Sequence, residues 1–378
     1  MSQPDAPSRP VFPCAVLSVV KHAYVARGVF SHPRFRPVVV ADDPHVPEWT
    51  HERNQKFADE CQVPYVRDIN KALTEYGAQV AVVSTEAERH CEMSLRAVQA
   101  GLNIVQDKPI TTENAIESCQ KLVRAVESSR RKFLLWNRNF LPAVQQAHAL
   151  IQAGEIGKPT AIHIDFYFSK DAGPPKGSSR PGDSPLNWQE YLIAAHVTSG
   201  DGGLGKLPMG ELEIEGIYPL AYMHRLIGLP VRRVFARTTA HFHQLYADNQ
   251  VDDLATVTLE MENGVLGTLC LGRIGAASHP DIGEIKLHVL GTKGALVMSE
   301  ARPEVAVYYR GQPPAEFRNR RVAIDNDYQL MDNFAHAIDT DGETILDARA
   351  GLEIVRVVTA ALQSGRTGKP VDVLPVFS

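Results

Sequence analysis

The first third of the chain alternates continuously apolar runs with amphipathic segments. "VFPCAVLSVV" and "FRPVVVADD" predict two buried strands, with "HAYVARGVFSH" as a short helix between them. "EWTHERNQKFADEC" predicts a helix and "VPYV" a short strand. In "DINKALTEYG", Asp68 is placed as an N-cap and Gly77 as a stop. "AQVAVVS" predicts a strand, "ERHCEMSLRAVQAG" a helix stopped by Gly101, and "NIVQ" the next strand. A helix over about 112–129 leads into "KFLLW". Continuous β-branched runs between helices argue for a parallel sheet covered on both faces.

Beyond about residue 137 the pattern changes. "PTAIHIDFYFSK" alternates like a half-exposed strand, and 169–210 is rich in Gly, Pro and Ser. A helix to Ile227 precedes a series of strand-like segments with tight turns at "ENG" and "TKG". Helices near 327–339 and 346–364 close the chain. The expected fold is α/β: a parallel-sheet domain over 1–136, then an α/β domain over 137–378 with a large, mostly antiparallel open sheet. An open sheet face of that kind predicts a homodimer or homotetramer.

Ligands of parallel sheets bind beyond the carboxyl ends of the strands. Ser18 to His22, Asp42-Asp43, Ser84-Thr85 and Asp107-Lys108 all fall there. Asp42 lies about 20 residues past the first turn, where an acid bonds the adenosine ribose hydroxyls. Asp43 adds a negative charge that would repel a 2′-phosphate, which favours NAD over NADP. The plainer alternative is that Asp42-Asp43-Pro44 is only a turn. The first turn, "LSVVKHAYV", contains no glycine, so the backbone cannot approach a diphosphate as it does in a glycine-rich loop. Ser18 is the small polar residue there, and Lys21 and His22 could meet phosphate by side chain. The dinucleotide site has an altered geometry or has been lost.

Composition narrows the choice. A chain of 378 residues, 44% hydrophobic, can bury the cores of two domains. The net charge is −5 with Lys and Arg scattered, which argues against nucleic-acid and anionic-membrane partners. Five dispersed cysteines without a CxxC pair read as thiols of a reducing compartment. The N-terminal "MSQPDAPSRPVF" lacks the basic flank and apolar stretch of a signal peptide, and no apolar run approaches the roughly 18 residues of a membrane span. A cytoplasmic protein is expected.

Several fragments, in order, carry a resemblance that covers nearly the whole chain. They are "VVSTEAERHCEMSLRAVQAGLNIVQDKP", "WNRNFLPAVQQAHALIQAGEIGKP", "GIYPLAYMHRLIG", "VDDLATVTLEMENGVLG" and "GTKGAL". The pattern resembles the Gfo/Idh/MocA oxidoreductases, the glucose-fructose oxidoreductase and inositol dehydrogenase family. His90 and Lys108 stand at the separation of the family's TP-x-x-x-H and E-K-P motifs, with Asp107 in place of the glutamate. The resemblance implies an N-terminal Rossmann domain and NAD(P) at the strand ends, with His90 added to the cofactor-binding set. It also implies hydride transfer to or from a hydroxyl carbon of a sugar or cyclitol, with Lys108 at the reacting carbon. The family's D-x-G-x-H unit falls on Ile214 to Tyr218, so its histidine becomes Tyr218 and its aspartate Ile214.

Read on its own, Lys108 precedes Pro109, which biases it toward an extended backbone and can support a cis peptide. Beside an oxidised nicotinamide its ammonium would lose a proton more readily and share it with a substrate hydroxyl. Tyr218 could donate or accept a proton at the same oxygen. Pro219 suggests a helix starting there with Tyr218 as its entry, and a non-helical segment before it. If that segment is extended, Glu211, Glu213 and Glu215 share a face, and Glu215 is the favoured replacement for the aspartate, Glu213 a substrate contact. Asn137, Arg138, Lys170 and Asp171 are further candidates for substrate hydroxyls or a loop over the cleft. Arg273 and His279 are candidates for the substrate wall. His241 and His243 alternate on a predicted strand, a weak metal signal, and no metal site is assigned. Two alternatives stand beside an NAD-dependent dehydrogenase: a redox-neutral lyase, epimerase or glycosidase working through transient oxidation, and a non-catalytic dinucleotide-sensing regulator.

Overall fold

The structure, a computed structural model, describes residues 10–20, 22–112, 114–168, 209–242, 244–273, 284–300, 304–318 and 323–373. The chain divides into two compact units. The first comprises Met1–Glu113, Lys121–Trp136 and Asp327–Ala348; the second comprises Asn114–Gln120, Asn137–Asn326 and Arg349–Ser378.

In the first unit the apolar runs become strands β1 (Phe12–Leu17), β2 (Phe35–Ala41), β3 (Tyr65–Val66), β4 (Val80–Val83), β5 (Asn103–Gln106) and β6 (Phe133–Leu135). They form one sheet in the order β3-β2-β1-β4-β5-β6, with every pairing parallel. That order is the doubly wound arrangement whose strand direction of travel reverses between β1 and β4. β4, β5 and β6 are buried at every position; β4 and β6 are accordingly continuously apolar rather than alternating, while β5 carries Asn103 and Gln106 at its ends, both hydrogen-bonded through their side chains. The connecting helices are α1 (Ala23–Phe30), α2 (Glu48–Cys61), α3 (Ile69–Glu75), α4 (His90–Gln99) and α5 (Ala115–Ser129). The Asp68 carboxylate accepts the Lys71 N–H and caps α3, and Gly77 (φ 66°) and Gly101 (φ 84°) take the left-handed turns past α3 and α4. Gly28 has a different reason. A Cβ there would lie 2.6 Å from Cη2 of Trp136, so only glycine lets α1 approach that ring.

The sequence predicts one domain over 137–378, but Asp327–Ala348 packs with the first unit. Leu346 accepts the Leu135 N–H at 2.9 Å, alongside the edge strand β6, and the Thr344 hydroxyl donates to Phe133 O at 2.6 Å. Arg34 pairs with Asp339 through both terminal guanidinium nitrogens. These contacts join positions more than 200 residues apart, which no local pattern announces.

The second unit holds α6 (Pro142–Gln152), β7 (Pro159–Phe168), α7 (Glu211–Glu215), α8 (Ile217–Ile227), β8 (Val231–Thr239), α9 (Gln244–Asp248), β9 (Leu254–Met261) and β10 (Leu266–Arg273). After these come β11 (Glu284–Gly291), β12 (Gly294–Ser299), β13 (Glu304–Tyr309), β14 (Ala315–Arg318), α10 (Ala323–Thr340, which belongs to the first unit from Asp327 on), α11 (Ala348–Thr367) and β15 (Val371–Asp372). The sheet order is β14-β13-β12-β11-β7-β10-β9-β8-β15; β7–β10 is parallel and the other pairings are antiparallel. β8 and β9 alternate buried and exposed residues, as a sheet covered on one face requires.

Two local expectations fail. The 211–215 segment is helical, and Tyr218 lies inside α8 rather than at its entry. Proline is tolerated in a first helical turn, so Pro219 does not mark the helix start. His241 lies beyond the end of β8, where Asp253 accepts the backbone N–H groups of His241 and Phe242, so it does not alternate with His243 on a strand. Lys21, Lys170, Asp171, His243 and His279 lie outside the described residues.

Candidate active site

In the first unit, side chains from the ends of β1, β4 and β5 meet in one buried network. Asp107, just past β5, is at its centre. Its Oδ1 accepts the Lys108 N–H at 2.7 Å, and its Oδ2 lies 2.7 Å from His22 Nδ1 and 2.9 Å from Ser84 Oγ. Ser84 Oγ in turn accepts the His22 N–H at 3.1 Å. Burial pushes the Asp107 carboxyl up, but the charge and hydrogen bond of His22, with His90 and Lys108 behind, hold it down at about 2. Asp107 is therefore a carboxylate at neutral pH, and it pins the backbone of Lys108.

The Lys108–Pro109 peptide bond is cis, and Lys108 is buried. His90 braces this turn: Nδ1 lies 2.6 Å from Pro109 O and Nε2 lies 3.0 Å from Thr85 O. A neutral imidazole has one N–H, so donating to both carbonyls requires the charged ring. The Thr85 hydroxyl donates to Glu86 O at 3.1 Å.

The first turn departs from a glycine-rich loop in a specific way. Ser18, Val20 and Ala23 occupy the spacing of G-x-G-x-x-G after β1. Ser18 keeps the left-handed backbone of the first glycine, with φ 63°. Val20 puts an isopropyl group where the second glycine admits a diphosphate. The turn's N–H groups are met by side chains: Val19 N–H donates to Asn54 Oδ1 at 2.8 Å, Val20 N–H to Ser18 Oγ at 3.3 Å, and His22 N–H to Ser84 Oγ.

A second network lies at the end of β2. Asp42 is fully buried; its Oδ2 accepts from Asn54 Nδ2 at 3.0 Å, and its Oδ1 accepts from both terminal nitrogens of Arg89 at 3.2 Å. Arg89 also reaches Asp43 at 2.9 Å and Glu86 at 3.0 Å, and Arg96 binds Asp43 at 2.8 Å. Burial pushes the Asp43 carboxyl up, but Arg96 and Arg89 pull it below the usual carboxylate range. Burial raises Glu86 to about 7 despite Arg89. Asn54, Glu86, Arg89 and Arg96 escape the sequence. On amphipathic helical segments they look like solvent-facing positions.

In the second unit, Tyr218 stacks near Phe166, ring centroids 6.1 Å apart, and the Arg138 guanidinium lies 5.5 Å from the Tyr218 ring centre. Arg138 pairs with buried Glu300, which also accepts the Tyr222 hydroxyl proton at 2.6 Å. Asn137 is buried and accepts the Asn139 N–H, while its carbonyl accepts from Asn326. Glu211 and Glu215, one helical turn apart on α7, both bind Arg273, at 3.2 and 3.4 Å. The Tyr246 hydroxyl donates to Glu211 at 3.4 Å. Arg273 is thus a buried ion-pair partner of both glutamates. Glu213 lies on the other side of α7 and is half-buried. Among the described residues no cluster of metal-ligating side chains is present.

Comparison with known proteins gives these networks a context. Residues 148–373 match the oxidoreductase family's C-terminal alpha/beta domain, and 45–135 match its NAD-binding Rossmann fold. The chain belongs to the Gfo/Idh/MocA oxidoreductase family. The scyllo-inositol 2-dehydrogenase (NAD(+)) of Bacillus subtilis is 23% identical over 380 residues, 95% of each chain. An oxidoreductase from Agrobacterium radiobacter, solved with NAD+, L-tartaric acid and magnesium, shares the fold at a TM-score of 0.77 with 16% identity, over 96% of this chain and 98% of that one. A levoglucosan dehydrogenase solved with NADH and levoglucosan does so at 0.77 with 18% identity, over 96% and 100%. As a Gfo/Idh/MocA member the chain is an NAD-binding oxidoreductase with a Rossmann sheet and a mixed C-terminal sheet. The N-terminal match begins at residue 45, after the first turn and Asp42, which is the stretch where this chain departs from a glycine-rich loop.

The residues present fit a dinucleotide held in an altered way. The left-handed entry at Ser18 is kept, and the N–H groups of Val19, Val20 and His22 are bound by Asn54 and by Ser18 and Ser84 hydroxyls. Val20 would keep a diphosphate further from the backbone than glycine would, which leaves hydroxyl and amide side chains as the groups that could meet it.

Proposed function

We propose that this protein is an NAD-dependent dehydrogenase acting on a hydroxyl carbon of a sugar, cyclitol or related polyol. The observation that carries this reading is the placement of Lys108. It follows the last residues of β5, on the binding edge of a β3-β2-β1-β4-β5-β6 sheet, with its N–H fixed by a buried carboxylate. The similarity to a scyllo-inositol 2-dehydrogenase along 95% of both chains supports the substrate class.

Ser18, Asn54, Ser84 and Thr85 would hold the dinucleotide near its diphosphate, and Asp42 and Asp43 lie at its adenosine end. When bound, NAD supplies the hydride acceptor or donor. Lys108 exchanges a proton with the substrate hydroxyl, general acid–base work of the kind worth about 10²–10⁴-fold in rate. Asp107 and His90 act through Lys108 as positioning residues, one on its N–H and one on the next carbonyl. Tyr218 is proposed as a second proton-handling group, with the Arg138 guanidinium 5.5 Å from its ring centre. Arg138, Asn137 and Glu213 are proposed contacts for substrate hydroxyls. Glu215 is engaged by Arg273, which favours a structural charge pair over a free base and gives no support to the redox-neutral alternative.

The second unit's sheet carries exposed apolar side chains at Phe235, Leu266, Leu290 and Tyr308, and we propose that this face pairs with a copy of the chain as a homodimer or homotetramer. The test of the function is a panel of cyclitols and aldoses with NAD+, followed by NADH absorbance. Substrate-dependent NADH formation is the expected result. Tight NAD+ binding without turnover on any polyol would instead point to a sensing role.

A further inference from the structure

The open face of the second unit's sheet carries a square of charged and titratable side chains at its middle. β7 is the fifth of nine strands; Ile162, Ile164 and Phe166 are buried, and His163 and Asp165 lie on the opposite, open face. Register sets His288 of β11 directly opposite His163, and Lys286 directly opposite Asp165. The two imidazole centres are 6.2 Å apart, edge to face. His163 Nε2 lies 3.3 Å from Asp165 Oδ1, which also accepts the Tyr167 hydroxyl proton at 3.3 Å. His163 Nδ1 contacts the Thr268 hydroxyl of β10, and Cys270 lies beside Asp165 on that strand. The adjoining row is apolar: Leu266, Ala161, Leu290 and Ala295 lie side by side across β10, β7, β11 and β12.

We propose that this square is a pH switch on self-association: two copies pair through the face while His163 and His288 are neutral, and separate when these residues gain protons. The switch rests on the pairing of this face put forward above. A second copy is the occupant the face fits. Asp165 and Lys286 carry one charge of each sign side by side, so a two-fold axis through the square brings the lysine of one copy to the aspartate of the other. The seven strands from β13 to β8 average about eight residues, and at about 4.8 Å spacing they offer roughly 900 Å² per copy, as much as each side of a stable interface buries. With both histidines neutral the square has no net charge. With both protonated it carries two positive charges, and two apposed squares carry four on a surface that loses its water. Burial, Lys286 and His163 already lower His288 in the single copy, with Asp165 opposing them. Burial holds Cys270 and Tyr167 above their ordinary values, so both stay neutral while histidine titrates. Further out, Glu260 on β9 pairs with Arg232, Glu304 on β13 lies two strands from Lys286, and Arg237 on β8 lies three strands from Asp165. The separated copies therefore bind more protons than the pair, and association weakens as pH falls.

Sedimentation velocity of the full-length protein at pH 8 and pH 5.5 tests this, with EDTA present to keep metal ions off the histidine pair. Wild type is compared with the double variant His163→Gln, His288→Gln. One imidazole per copy, kept from its proton a full unit below histidine's ordinary value near 6.5, weakens a dimer by about a hundredfold. Wild type is expected to lose at least about that much affinity between the two pH values. The double variant keeps a polar square that does not titrate. It should associate at pH 8 within about tenfold of wild type and change by less than about threefold at pH 5.5. Wild-type association that changes by less than about threefold overturns the proposal. So does a double variant that weakens on acidification as much as wild type, or one that does not associate at pH 8. A wild type that is monomeric at pH 8 overturns the pairing of this face itself, a result read separately from the pH response.

Discussion

Asp107→Asn tests whether the strand-end network is built around a charge. In the native chain this carboxylate accepts the Lys108 N–H and contacts His22 Nδ1 and Ser84 Oγ, all within 2.9 Å. Asparagine keeps the shape and one acceptor oxygen. It presents an NH₂ group where a charged oxygen had bound two partners, and it discards the ionic contact with His22. Hydrogen bonds to charged groups contribute about 1.5–3 kcal/mol each, so a loss of about 3 kcal/mol follows. The pH dependence gives an independent check. The carboxyl is held at about 2 in the fold against an ordinary 3.8, so below pH 4 the unfolded chain binds more protons and native stability falls with falling pH. This stability is fully present above the unfolded value and is lost as pH falls through the folded one; linkage puts the loss from this group at about 1 kcal/mol by pH 3. Urea unfolding, followed by far-UV circular dichroism at pH 6 and pH 3, measures both effects. The variant should be less stable at pH 6, and its gap to wild type should narrow at pH 3. A gap below about 1 kcal/mol at pH 6, or one unchanged at pH 3, would refute the charged network.

Gly28→Ala places a Cβ 2.6 Å from Trp136 Cη2 and 2.8 Å from Cζ2, so α1 or the ring must shift, and destabilisation of about 1–3 kcal/mol is expected by urea unfolding with an altered Trp emission. Glu86 behaves oppositely to Asp107. Its folded value is raised by burial from 4.5 to about 7, so the folded chain binds the extra proton and stability declines as pH rises through that window. Glu86→Gln should flatten the decline between pH 5 and 8 in thermal-shift measurements, and a decline as steep as wild type would contradict the assignment.

Much of the Rossmann-type sheet was legible because β4, β6 and the centre of β5 are buried on both faces and so are apolar without alternation. Asp68 and Gly77 were legible because capping and left-handed turns demand particular residue types. Lys108 and Asp107 could be placed at the binding edge by position alone. The polar networks were not legible, since they join residues remote in sequence: Asn54 ties Ser18 to Asp42, and Arg89 spans Asp42, Asp43 and Glu86. The charge argument from Asp42-Asp43 counted two anions and could not count their partners. Ser18 was recognised as the small polar residue of the turn, but its left-handed backbone has no signature in a non-glycine residue. Pro219 carries no sign that 211–215 is helical, and the pairing of Glu211 and Glu215, i to i+4 on α7, with Arg273 joins positions 62 and 58 residues apart.

The central claim is that Lys108 handles the substrate proton beside a bound dinucleotide. Stopped-flow and steady-state kinetics of Lys108→Ala, with NAD+ affinity measured in parallel, test it most directly. The account predicts NAD+ binding within a few-fold of wild type and a fall in kcat of about 10²–10⁴ on whichever polyol the wild type oxidises. A variant that binds NAD+ and turns over at the wild-type rate would contradict it.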